Sequence, residues 1–402
     1  MKRTLFGAMA TVLAIGSLLT ACNSQDQQAL SNPQALTCSA QQPNASPAQQ
    51  QACTGNLADR ADKALQPFLS ENGISAASVA IVKDGVVLYQ RGFGHLDANR
   101  QRPLPADALF MTASIVKPVT AAAVQKLRQG GFLALSDHVF CSGNNRPCWL
   151  SGFQATGADP RIADITIAHL LDHQGGWDTD ISGDPLISEA AIQQALGLNL
   201  PPTRSDIIRA VTAQPLDFVP GTRSAYSNFG YLLLGLIIEQ ASHATYLTYV
   251  QTAVLQPLGI AQGDFVAAPS LLKDRGQREP IYLTSVQAYS VFKPGTMVSA
   301  LDGAINAENW QAAGSVLSTA PALAKFAGHY RIPEGTLLNG QHNNGGFTGA
   351  DPGVATLMRQ LPSGTSYVVM MNKLDDKQPS GPGSYQLKVL ALLEEAIAGA
   401  GL

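Results

Sequence analysis

The chain has 402 residues, of which 14% are charged, and a formal net charge of -3. That length suffices for one large domain or two ordinary ones with a well-buried core. The charged share is far below the usual figure of about 25%, and nothing builds a basic field, so nucleic acid is excluded as an expected partner.

Residues 1–22 begin with Lys2 and Arg3, continue through an apolar run from Leu5 to Leu19, and end Leu19-Thr20-Ala21-Cys22. The run is shorter than the roughly 20 residues a membrane span needs, so it reads as an export signal. Its ending resembles a bacterial lipobox, which implies lipidation at Cys22 and attachment to the cell envelope, facing the periplasm or the exterior. A cleaved ordinary signal with a chance cysteine is the alternative. Acyl chains contribute about 0.8 kcal/mol per buried methylene, so two or more hold a protein on a membrane durably. Between Asn23 and about residue 55 the composition shifts to Gln, Asn, Ser, Ala and Pro. Such a stretch buries too little apolar surface to order itself and is predicted to be a tether.

Cys38, Cys53, Cys141 and Cys148 remain, an even number in an exported chain. Four cysteines allow three pairings. The sequential one, Cys38 with Cys53 and Cys141 with Cys148, closes short local loops and is preferred, contributing on the order of 3 and 2.5 kcal/mol by loop entropy. Metal ligation is the rival, but no C-x-x-C pair exists to support it.

Asn56 to Glu71 carries apolar residues at Leu57, Ala61, Leu65 and Phe68 and ends at Asn72-Gly73, the pattern of an amphipathic helix. Ala77 to Lys83 and Val86 to Phe93 are alternating apolar runs joined by Asp84-Gly85, a hairpin signal. Met111-Thr112-Ala113 then turns into a helix from Ser114 to about Gly130. On it Ser114 and Lys117 sit three positions apart, on one face. A hydroxyl needs a base to attack a carbonyl at neutral pH, and a buried neutral amine could be that base. The lysine would have to drop from about 10.4 toward 7, on the order of 4 kcal/mol of environment. Spacing alone does not establish this, because Ser270 and Lys273 show the same interval. A helix-terminal serine beside a solvated lysine is the competing reading.

Further on, Asp164 to Gly176 includes Thr166 as a candidate cap of a short helix ended by Gly175 and Gly176. His169 and His173 lie four apart, a spacing open to a metal, but position 170 is Leu where a zincin has Glu. Structural hydrogen bonding is favoured, and no metal is expected. Phe218-Val219-Pro220-Gly221 is turn chemistry before Tyr226-Ser227-Asn228, and an apolar helix follows from Tyr231 to about Ala241. Another passes through Tyr249 and Val254 toward Pro257-Leu258-Gly259. Gly314 to Ser318 reads as a strand, Ala320 to Tyr330 as a helix, Val354 to Leu361 and Ser366 to Asn372 as a hairpin around Ser363-Gly364, and Tyr385 to Ala398 as a helix. Strands at both ends and helices between predict an α+β (mixed α/β) domain over 56–402. Its sheet comes from about 56–113 and 305–402, and its helical insertion from about 114–304.

At this point the chain resembles the class C β-lactamase-like serine hydrolases of the serine β-lactamase and penicillin-binding superfamily. Ser114-Ile115-Val116-Lys117 is similar to the first motif and Tyr226-Ser227-Asn228 to the second. Asn343-Asn344-Gly345-Gly346-Phe347 lies where the third belongs. The segment Ile165 to Leu171 with Gly175-Gly176, Pro220-Gly221 and Pro257-Leu258-Gly259 match as connectors. The resemblance implies an antiparallel sheet flanked by helices with a helical lobe. It implies that Ser114 forms an acyl-enzyme with Lys117 and Tyr226 sharing proton transfer, and that Asn228 bonds substrate or Lys117. The oxyanion hole would use the N–H of Ser114 and that of Gly346, and no cofactor is called for. Ser270 and Lys273 match no motif and become a decoy.

The third motif departs from the Lys-Thr-Gly of class C enzymes. Its equivalent is Asn343-Asn344-Gly345, or His342-Asn343-Asn344 if the register slips by one. A neutral Asn loses most of the attraction for an antibiotic's carboxylate, so efficient penicillin hydrolysis is not expected. The leading expectation is a hydrolase of a small ester, amide or D-amino-acid peptide. A true β-lactamase or D,D-carboxypeptidase, and an idle lipoprotein binding peptidoglycan or a partner, are the alternatives.

Overall fold

A computed structural model describes residues 47–141, 147–330, 337–338, 341–342, 345–375, 377 and 383–402, without side chains at 47–55, 337–338 and 341–342. Cys22, Cys38 and Asn343 lie outside the described residues, as do the side chains of Cys53 and His342.

The first element is helix α1 (Pro47–Glu71), which begins ahead of the expected start at Asn56. Next come β1 (Ala76–Lys83) and β2 (Val86–Gly94), turned by Asp84 and Gly85 at φ 51° and 78°. Two successive positive φ values suit a tight turn whose twist matches the strands, which is why Asp-Gly marks it. The short strand β3 (Leu109–Met111) leads through a 3-10 turn, Ala113–Val116, into α2 (Lys117–Gln129). In the middle of the chain lie α3 (Asn228–Ser242) and β4 (Phe265–Ala267). The C-terminal part supplies β5 (Val316–Thr319), α4 (Ala320–His329), β6 (Gly346–Asp351), β7 (Val354–Gln360), β8 (Thr365–Met371) and α5 (Tyr385–Gly399).

The main sheet is antiparallel with order β6-β7-β8-β1-β2, so strands from both ends of the described chain meet where β1 pairs β8, from Ala77 opposite Met371 to Lys83 opposite Thr365. Residues alternate between its two faces. Val79 and Ile81 join Leu57, Leu65, Val369, Leu393 and Ile397 under α1 and α5. Ala80 and Val82 face the larger core with Val119, Leu233, Phe326 and Met370, which includes α2, α3 and α4. With both faces covered, β8 is buried along its whole length. A second sheet, β3-β5-β4, sits beside the first, and Ser114 follows directly from β3.

The helical part differs in detail from its sequence pattern. The helix expected after Ala244 is one α turn, Tyr246–Tyr249, continued as a π-helical stretch over Val250–Leu255. Cys141 and Cys148 form a disulfide with a Cα separation of 5.1 Å.

Candidate active site

Three segments converge on Ser114. The first is the turn that carries it. Ala113 has φ 47°, a left-handed conformation that costs an L-residue energy and is held here by burial and by the Thr112 N–H donating to the Val316 carbonyl at 2.9 Å. The kink puts Ser114 at the mouth of α2 and Lys117 one turn further on the same face. Lys117 is fully buried, and its Nζ lies 3.1 Å from Ser114 Oγ, 2.7 Å from Asn228 Oδ1 and 2.5 Å from the Ala313 carbonyl.

The second segment is Tyr226-Ser227-Asn228. Ser227 caps α3 by accepting the Gly230 N–H at 3.1 Å, which starts the helix at Asn228 rather than at Tyr231. Upstream, the Ala225 N–H donates to the His173 carbonyl at 2.9 Å and the Ser227 N–H to His173 Nδ1 at 3.2 Å. Clamped on both sides, Tyr226 reaches Ser114, its OH 2.5 Å from Ser114 Oγ and 3.3 Å from Asn228 Oδ1.

The pair His169 and His173 therefore has hydrogen-bonding work. His169 completes a capping box with Thr166, its Nδ1 accepting the Thr166 N–H at 3.3 Å. His173 stacks on Tyr226 and Tyr231 with ring centroids 4.8 and 5.1 Å apart. Burial, with the nearby Lys117 charge, pushes His173 down to about 3, so it stays neutral.

The third segment is β6, the edge strand. A Cβ built on Gly349 would lie 2.9 Å from the Ser114 nitrogen and 2.8 Å from the Thr112 oxygen, so only glycine lets the strand lie this close to the nucleophile's backbone. Sequence reasoning placed the motif glycine at Gly345, where φ is +84° and a Cβ would instead meet the Gln360 carbonyl at 2.6 Å. The segment laid on Ser114 is Phe347-Thr348-Gly349. Thr348 and the buried Phe347 precede that glycine on the strand.

Gly346, the expected second donor, stands three residues before Gly349 on the same strand, about 10 Å along it. The register shows which groups are free. The Gln360 N–H donates to Gly345 and the Leu361 N–H to Thr365, at 2.6 and 2.7 Å. Antiparallel alternation then directs residues 347, 349 and 351 to β7 and leaves the N–H groups of Gly346, Thr348 and Ala350 on the edge away from it, the last two flanking Gly349.

Electrostatics follow from burial. Desolvation pushes Lys117 down to about 7, against the opposing pull of Asp184 and Asp351. Burial pushes Tyr226 far above its ordinary range, so it remains a phenol. Asp351 is pushed up to about 7, by desolvation first. Asp184 and Asp351 carried no motif and were missed by sequence reasoning. Asp184 accepts from Asn228 Nδ2 at 2.6 Å. The decoy pair does none of this: Ser270 Oγ accepts the Ala307 N–H at 2.9 Å and Lys273 is exposed.

Residues 61–387 match the Beta-lactamase family. Over 233 residues the chain is 31% identical to esterase EstB of Burkholderia gladioli, taking in 56% of this chain and 57% of that protein. It is 29% identical over 212 residues to protein flp of Staphylococcus aureus strain N315, covering 53% of this chain and 39% of flp. The chain thus spans less than two thirds of the length of these relatives. Among solved structures, EstCE1, a hydrolase with promiscuous acyltransferase activity, superposes with a TM-score of 0.59 at 17% identity, covering 86% of this chain and 99% of that one. The D-amino acid amidase of Ochrobactrum anthropi superposes with a TM-score of 0.56 at 18% identity, covering 87% and 98%. These likenesses establish the β-lactamase/transpeptidase fold, and with the family match spanning most of its length, the chain belongs to the Beta-lactamase family.

Proposed function

We propose that this chain is a serine hydrolase that works through an acyl-serine at Ser114. The observation that carries the reading is a fully buried Lys117 whose Nζ lies 3.1 Å from a serine hydroxyl that also meets the Tyr226 phenol at 2.5 Å. Near pH 7 much of Lys117 is neutral, with two hydrogens and one electron pair. The hydrogens go to Asn228 Oδ1 and the Ala313 carbonyl, and the electron pair faces Ser114 Oγ.

Ser114 Oγ attacks the substrate carbonyl while its proton passes to Lys117 Nζ. Tyr226, held as a phenol, donates its proton to the leaving oxygen or nitrogen and is reprotonated from Lys117. Water then cleaves the acyl ester by the reverse proton path. The N–H groups of Ser114 and Ala350 receive the oxyanion, the second because it lies on the edge of β6 away from β7, next to Gly349. Each such donor is worth about 2.7–4 kcal/mol of barrier.

The substrate class that fits best is a small ester, amide or D-amino-acid peptide. No lysine stands between Gln341 and Gly349, which leaves little to hold a penicillin carboxylate, and the similar proteins include an esterase and, by fold, an amidase. A fluorophosphonate probe followed by mass spectrometry should label Ser114 in the wild type and leave Ser114→Ala unlabelled; equal labelling of both overturns the reading. Nitrocefin turnover well above the Ser114→Ala background would move the assignment to a β-lactamase. By its leader and Cys22 we also place the chain on a membrane, which radiolabelled palmitate incorporation, absent in Cys22→Ser, would test.

A further inference from the structure

We propose that Asp184 is a positioning residue of this site: its carboxylate fixes which way round the Asn228 amide stands, and so directs the electron pair of Lys117 at Ser114. The inference rests on the acyl-serine reading above and adds to it a residue that no motif marks.

Asp184 follows Gly183, whose φ is 80°, and is half-buried. Its Oδ1 accepts the Leu186 N–H at 3.0 Å, an Asx-type turn that sets the carboxylate, and its Oδ2 accepts from Asn228 Nδ2 at 2.6 Å. The two ends of an asparagine amide have nearly the same shape and opposite hydrogen-bonding character. A carboxylate only accepts. The NH2 end of Asn228 must therefore face Asp184, and the oxygen end faces Lys117 Nζ at 2.7 Å and Tyr226 OH at 3.3 Å.

That orientation decides where the lysine's electron pair goes. With Asn228 Oδ1 and the Ala313 carbonyl taking the two hydrogens of a neutral amine, the remaining direction holds Ser114 Oγ. Were the amide reversed, its NH2 would claim the electron pair and Ser114 would lose its base. A purely structural role for the Asp184 contact is less economical, because the loop has another anchor. Asp217 accepts the Asp178 N–H at 2.8 Å and the Ser182 hydroxyl at 2.5 Å.

Asp184 also acts by charge. Lys117 is faced by Asp184 from this loop, Asp351 from β6, the neutral His173, and the rings of Tyr226 and Tyr231 at 4.9 and 5.4 Å. The two carboxylates favour the protonated amine. Neutralising one lowers the lysine's proton affinity, which moves the acid limb of a pH profile toward lower pH.

The test measures kcat and KM for p-nitrophenyl acetate against pH in the full chain, for wild type, Asp184→Asn and Asp217→Asn. Asp184→Asn keeps the shape but can meet Asn228 either way round. It should lower kcat by about 10- to 100-fold with KM little changed, and shift the acid limb downward by about half a pH unit. In an Asn228→Ala background the same substitution should cost nothing further in kcat, since the effect passes through Asn228. Asp217→Asn should lower Tm and leave the limb in place. Should Asp184→Asn fail to fold, Asp184→Ser keeps an acceptor for the turn and gives the same readings. A limb unmoved in the Asp184 variant, or moved equally by Asp217→Asn, overturns the inference alone. A wild type without turnover or probe labelling overturns the acyl-serine reading and this inference with it.

Discussion

Ser114 with Lys117 and Ser270 with Lys273 are the same pattern in sequence, a serine and a lysine three residues apart, and the fold gives them opposite surroundings. Lys117 has no exposed surface, and desolvation leaves it near neutrality. Lys273 stands in solvent, and Ser270 spends its oxygen on the Ala307 backbone. What separates them is what packs on each helix start: at Ser114 a strand laid close by Gly349, a capped α3 that presents Asn228, and a clamped Tyr226. Nucleophilicity is therefore a property of the surrounding segments rather than of the interval, and the comparison can be attacked from either side.

The largest expected effect is on the buried pair. Ser114→Ala should reduce kcat on an activated ester by about ten-thousandfold or more, read from initial rates with enzyme in excess of any contaminant. A variant keeping a tenth of wild-type turnover would remove the distinction between the pairs. Next in size, Lys117→Arg should cost about a thousandfold, because a guanidinium stays charged throughout the working range. Arg at the exposed position, Lys273→Arg, should leave the rate unchanged. If both arginines are tolerated, burial is not what makes the lysine a base.

Much of this was legible in the sequence, and the failures have physical causes. Local chemistry was readable where it acts locally: Asp84-Gly85 makes its hairpin, Thr166 caps its helix, and Ser114, Lys117, Tyr226 and Asn228 meet as the motifs imply. The third motif was the least legible part, because strand register is set by the partner strand and the turn. Asp351-Pro352-Gly353 closes the β6–β7 hairpin with Gly353 at φ +74° and fixes the strand pairing, while the residue against Ser114 is Gly349. Asp184 had no signal, since a single aspartate in a loop acquires its role only when the fold brings it to Asn228. The positive φ of Ala113 likewise arises from packing and leaves no mark on residue type.

Gly349→Ala tests the close approach itself. The added methyl meets Thr356 Oγ1 first and then the Thr112 oxygen and the Ser114 nitrogen inside van der Waals contact, so side chain, strand or turn must shift. A displacement near 1 Å at an oxyanion site costs about a hundredfold in kcat, with about 1–3 kcal/mol of stability lost to overpacking. Unchanged kcat beside lowered Tm would show that β6 supports the fold without serving the reaction.

Smaller still is the response to pH. Desolvation lowers the proton affinity of Lys117 to about 7, so the neutral base is the majority form above that pH and is titrated away below it. The logarithm of kcat/KM should rise with a slope near one up to about pH 7 and then level. A limb centred near pH 10 would mean that burial does not set the proton affinity of Lys117.

The least effect should come from the exposed pair. Ser270→Ala leaves the N–H of the buried Ala307 without its acceptor, a loss of about 1–3 kcal/mol. The variant should therefore unfold earlier in urea and keep wild-type kcat, KM and probe labelling. A change in kcat without a change in stability would be the damaging result, because Ser270 anchors the loop that leads into Asn309 and Trp310, just ahead of the Ala313 carbonyl that holds Lys117. It would mean that the two pairs are coupled through that loop, and that the second serine supports the first.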